Sequence, residues 1–112
     1  MKVKAIAVLT TVMLCIAGVA NAKEIMVFGA GSNSCGNWLK DGGSVTERAW
    51  LQGYITSYNQ WKLQVDDDVA KSTDASGMFA WMNNYCRSHP LDPIANAAAV
   101  LIVELVVRSG AH

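Results

Sequence analysis

The chain has 112 residues, nine basic and nine acidic side chains, a formal net charge of zero at pH 7, and 52% hydrophobic residues. No cluster of Lys or Arg lies along any stretch of it, and nucleic-acid affinity rests on such clusters, so the composition excludes nucleic acid as a partner. Three cysteines and two histidines leave little material for a metal centre.

The first element is a leader. Lys2 and Lys4 precede an apolar run from Ala5 to Ala20, which closes in Ala20-Asn21-Ala22. A charged start, an apolar centre and an A-x-A end predict a secretory signal cleaved after Ala22 and a periplasmic location. The run is shorter than the ~20 residues that cross a bilayer, so no membrane span is expected after cleavage. Cys15 leaves with the leader. Val12, Met13 and Leu14 before it lack the small residue that lipid attachment wants, which argues against a lipoprotein.

Residues 1–22 thus form the signal peptide and residues 23–112 a single domain. Losing Lys2 and Lys4 leaves seven basic residues against nine acidic, a net charge of −2. A domain of 90 residues has a marginal core. Cys35 and Cys86 are the even pair that an oxidising compartment joins in a disulfide; the alternative is two buried free thiols. Closing their loop would stabilise the fold by roughly 4 kcal/mol.

Ile25-Met-Val-Phe28 is a short apolar run that leads into glycines. It does not read as a nucleotide loop, because Ser34 stands where the dinucleotide pattern needs its third glycine and no Gly-Lys-Ser follows. Ser34 suits the cap of a short first helix, on which Cys35, Trp38 and Leu39 share a face. Lys40-Asp-Gly-Gly-Ser44 breaks it, and Ser44-Val-Thr-Glu47 is a capping box that opens a second helix running to about Asn59. Trp50, Leu51, Tyr54, Ile55 and Tyr58 form its apolar stripe. Ala49 and Gly53 lie opposite and predict the close approach of another segment, since a mid-helix glycine costs about 1 kcal/mol relative to alanine.

Trp61 to Val65 reads as an extended connector. Asp66, Asp67 and Asp68 follow as a solvated acidic loop; a calcium loop would alternate its ligands and place glycine where Lys71 stands. A third helix is predicted from about Ala75 to Ser88, capped by Thr73 or Asp74. Met78, Trp81, Met82, Tyr85 and Cys86 share one face, with Asn83, Asn84 and Arg87 on the other. His89-Pro90 ends it. Asp92 is then the expected cap of a fourth helix, with Pro93 in its first position and Ser109-Gly110 at its close. One face of that helix holds Ile94, Ala97, Ala98, Leu101 and Leu105, while Val100, Val103 and Val107 lie on the other. Either the helix is central and buried all round, or its outer face meets a partner. The expected fold is therefore all-α: a small four-helix domain with one disulfide joining the first helix to the third.

Nothing in the chain composes a catalytic site. A nucleophile needs a base in hydrogen-bond reach, most often histidine. His112 is the last residue, and His89 sits between a helix end and a proline, suited to terminal carbonyls. Glu47 and Glu104 are better explained as a cap and a helix-surface residue than as a carboxylate pair. No enzyme activity, cofactor or metal is expected.

Cys35-x-x-Trp38-Leu39, Trp50-Leu-Gln-Gly53-Tyr54 ending in Asn59, and Tyr85-Cys86 followed by Pro90 and an alanine-rich helix resemble the HdeA/HdeB-like periplasmic proteins. The resemblance covers most of residues 23–112. It implies a non-enzymatic acid-stress chaperone that is dimeric near neutrality and opens in acid to expose apolar surface to unfolding clients. Trp50, Tyr54, Ile55, Val100, Val103 and Val107 would then be the protein-binding surface. The Gly53-Tyr54 helix and the His89-Pro90 turn are also similar to the Rap1a/Tai group of periplasmic immunity proteins, which implies the alternative of an inhibitor with one secreted toxin as partner.

Overall fold

The computed structural model describes residues 25–62 and 68–110. The expected signal segment 1–22 with Cys15, the acidic residues Asp66 and Asp67, and His112 lie outside the described residues. After a short 3-10 turn at Gly29–Ser32 come four α-helices: α1 (Cys35–Trp38), α2 (Val45–Trp61), α3 (Ala75–Ser88) and α4 (Ile94–Ser109). No strand occurs among the described residues, and the architecture is the expected all-α one.

The helices begin where their capping residues dictate. Ser34 Oγ accepts from the Asn37 amide at 3.1 Å and opens α1. At α2 the Glu47 amide donates to Ser44 Oγ (3.1 Å) and the Ser44 amide donates back to Glu47 Oε1 (3.3 Å), which completes the capping box. Asp74, not Thr73, caps α3 by accepting from the Gly77 amide at 2.8 Å. Gly110 closes α4 in the left-handed conformation at φ 67°.

The start of α4 departs from expectation. Pro93 occupies the cap position with no side-chain cap, and the Asp92 carboxylate instead accepts a hydrogen bond from Tyr85 Oη at 2.8 Å. A tertiary partner has taken the carboxylate that the local sequence assigns to the helix end. The main chain around it forms a clip: the Cys35 amide donates to Asp92 O (2.7 Å), Gly36 to Pro90 O (2.8 Å) and Ile94 to Asn33 O (2.8 Å). This clip and the Cys35–Cys86 disulfide, with its Cα atoms 4.8 Å apart, tie α1 to the end of α3 and the start of α4.

Trp38 is fully buried beside that tie, and its Nε1 donates to Asn83 Oδ1 at 2.8 Å. Asn83 therefore faces inward from the side of α3 expected to be polar. Gly43 passes over the indole at φ 92°, and a Cβ there would come within 2.7 Å of the ring, so this position needs glycine on both counts.

Leu51 and Ile55 of α2, Met78 and Met82 of α3, and Leu101 and Leu105 of α4 fill the rest of the core. α4 packs against the 3-10 turn and all three other helices. It buries the expected face, yet Val100, Val103 and Val107 remain 42%, 64% and 73% exposed. The helix is thus central but not buried all round, since one stripe of it stays exposed.

Two expectations for α2 fail. Among the described residues nothing lies within 4 Å of a Cβ built on Gly53, and Ala49 is exposed as well, so no described segment packs on that face. The helix also runs past Asn59 to Trp61. The Asn59 side chain does not turn back to end it; its Nδ2 donates to Asp68 Oδ1 (2.6 Å) and its Oδ1 accepts from the Val69 amide (3.0 Å). Asp68 is accordingly a tie that holds the chain after α2 as well as a solvated acid.

Chemical denaturation checks both sides of this account. Gly53→Ala should raise the stability by about 0.5–1 kcal/mol, because alanine fits the helix and meets nothing; an unchanged or lower midpoint would show a hidden demand for glycine. Replacing Cys35 and Cys86 together by serine should remove roughly 4 kcal/mol.

Candidate functional site

Trp50, Tyr54 and Tyr58 recur every fourth residue of α2 and so rise along one side of it. Trp50 and Tyr54 are half-buried and stacked, with ring centroids 5.1 Å apart and planes 24° from parallel. Trp50 Nε1 donates to Phe28 O at 2.8 Å, which orders the indole and pins the segment Ile25–Phe28 beside it. The close fit extends to Gly31, where any Cβ would overlap the Trp50 ring.

Ile25, Met26 and Phe28 are 75%, 78% and 77% exposed. Between this segment, Trp50 and Tyr54 of α2, and Ala95 and Ala99 of α4 lies a hollow of about 750 Å³. Tyr54 also borders a second hollow of about 360 Å³, shared by Tyr58, Trp61 and Lys62 with Ile102. Early residues of α2 oppose early residues of α4, and late oppose late. The two helices therefore run in the same direction, and the two hollows meet at Tyr54 to make an apolar groove in two parts. Small side chains on α4 give the groove its depth, and aromatic rings on α2 form its wall.

Of the residues expected to form a binding surface, Trp50 and Tyr54 stand in this groove. Val100, Val103 and Val107 form an exposed stripe on the helix that makes its other wall. Ile55 is 3% exposed and belongs to the core, so the folded chain does not present it. The run Ile25-Met-Val-Phe28 and Trp61 complete the surface. Both were visible in the sequence as apolar, but the first carried no sign of where it would lie, and the second was assigned to a connector.

Other polar clusters are engaged locally. Glu47 is 1% exposed; its Oε1 accepts from the Ser44 amide and from Asn37 Nδ2 (3.2 Å), while its Oε2 has no described partner. Glu104 pairs with Arg108 at 2.7 Å on α4. Trp81, Tyr85 and His89 stack in series along the end of α3, the last two with centroids 4.0 Å apart, and His89 Nδ1 lies 2.9 Å from Tyr85 O. Among the described residues no group of His, Cys, Asp and Glu is gathered as a metal ion requires, and no helix is long and apolar enough to cross a membrane.

No protein-family model matches this chain, and neither curated proteins nor solved structures include a match to it. The residues and their geometry therefore carry the functional argument.

The Tyr85 hydroxyl donates to the Asp92 carboxylate. That bond, then burial, then the neighbouring negative charge hold its pKa above the ordinary tyrosine value of 10.0. A raised pKa means that the bond's stabilisation is fully present below the unfolded value and is lost as pH rises through the folded one. Titration of tyrosinate absorbance should show one late-ionising tyrosine, and Tyr85→Phe should remove that step; its persistence would assign the late ionisation elsewhere.

Proposed function

We propose that this chain is a small exported, non-enzymatic protein that binds unfolding polypeptides in the periplasm through its apolar helix surface, as HdeA-like acid-stress chaperones do. The observation that carries the reading is the groove along α2 and α4, which stays open to solvent in the folded chain together with the valine stripe and the segment Ile25–Phe28. Exposed apolar side chains gathered around a hollow are the kind of surface that takes a partner. Near neutrality a second copy covers the face, and in acid it is released to clients. The disulfide holds α1 to α3 while the rest loosens, so that an opened chain does not become a client itself.

A second reading, an immunity or inhibitor protein with one secreted toxin as its partner, draws on a different observation. The Trp50 indole is hydrogen-bonded and stacked before any partner arrives. Preordered aromatic anchors lower the cost of binding and favour one tight complex over many weak ones.

Sedimentation of the oxidised protein from pH 7 to pH 2 with a hydrophobic dye separates these. A dimer that dissociates and takes up dye in acid is the chaperone outcome; constant mass without dye uptake would sink it and leave the single-partner reading. Val103→Asp should preserve the fold, since that side chain is exposed, and should weaken both dimerisation and suppression of client aggregation. Unaltered suppression by Val103→Asp and by Tyr54→Ala together would place the binding surface elsewhere.

A further inference from the structure

The groove is polarised along its length. Among the described residues none bordering the larger hollow is charged, and Lys62 is the one charged residue bordering the smaller. Its Nζ lies 5.3 Å from the Tyr58 ring centre and pairs with no described carboxylate. The groove thus offers a single positive charge at the far end of an apolar trough. From Trp50 to Trp61 that trough follows eleven rises of the helix, roughly 16 Å at about 1.5 Å per residue. An extended peptide of about five residues covers the same distance at about 3.3 Å per residue.

The walls also carry groups that a main chain uses and a hydrocarbon tail does not. Within Ile25–Phe28 the backbone is free of described hydrogen bonds except at Phe28 O, which Trp50 holds. Asn96 borders the larger hollow and Ser57 the smaller. A polypeptide laid in the groove finds donors and acceptors for its amides on both sides, and apolar contact for its side chains between them.

Building on the proposal that this face takes polypeptide, we infer that the preferred occupant is an extended apolar stretch of about five residues with a carboxylate at one end, which meets Lys62. Where the peptide carboxylate is ionised, above about pH 4, the charge sets the direction in which the peptide lies and selects among apolar segments that the trough alone accepts equally; in stronger acid the trough binds by apolar contact alone. A charge pair at a partly exposed site is worth a few-fold in affinity, so the selection is a bias rather than a gate.

The test uses the oxidised protein at pH 7, at a concentration where sedimentation gives a monomer, and fluorescently labelled peptides with the same five apolar residues ending in glutamate, in lysine or in an uncharged amide. The glutamate peptide should bind about fivefold tighter than the lysine peptide. The difference should vanish in Lys62→Gln and reverse in Lys62→Glu, both of which alter a half-buried side chain at the helix end and should leave the fold intact. Ala99→Trp, which fills the larger hollow, should weaken all three peptides. Equal affinity for the glutamate and lysine peptides, or a preference that survives Lys62→Gln, overturns the inference while the polypeptide-binding reading stands. If no peptide binds, both fall. Saturable binding of palmitate with no peptide binding also overturns both, and assigns the groove to single-chain lipids.

Discussion

Cys35 is bonded twice over, and the rest of the fold depends on it. Its sulfur is joined to Cys86 at the end of α3, and its amide donates to the carbonyl of Asp92 just before α4. One residue therefore fixes three segments that lie far apart in sequence. A four-residue helix such as α1 has no standing of its own, because nucleation costs more than so few turns return. It exists because both of its neighbours hold it, and Trp38, carried on it, can then be driven fully into the core with its indole nitrogen satisfied by Asn83.

The same clip decides where the apolar face lies. By holding Asn33 against Ile94, it brings the segment that precedes α1 alongside α4, and Trp50 reaches across to Phe28 from α2. The groove is consequently assembled from three parts of the chain, with alanines on α4 leaving room between them. The core consumes one side of α2 and of α4. Among what remains are two apolar hollows that share Tyr54, and the exposed valines of α4.

Local signals were legible where a side chain acts on its own backbone. Ser34, the Ser44 and Glu47 box, Asp74 and Gly110 mark helix ends through bonds that span at most a few residues, and the apolar period separated the buried face of α4 from its valines. The two cysteines were legible because a small oxidised domain has few ways to use a pair. Misreadings fall where a distant group competes. Asp92 has the chemistry of a cap but is taken by Tyr85; Asn59 looks like an end but is bonded to Asp68 and Val69; Asn83 looks like surface but is claimed by Trp38. Gly53 is the opposite case, a residue type that suggests a close neighbour where none stands. The exposed apolar surface was half legible for the same reason. Trp50 and Tyr54 follow from helix period, whereas the place of Phe28 depends on a hydrogen bond across 22 residues.

The cross-link between Cys35 and Cys86 also gives the molecule a clock. Glutathione and thioredoxin keep thiols apart in a reducing compartment, and there α1 lacks its covalent anchor and the core lacks its principal reinforcement. An oxidising compartment sets that anchor, and from that moment the arrangement of helices is hard to undo. Joining the two sulfurs is thus the one covalent step that fixes α1 to α3 among the described residues.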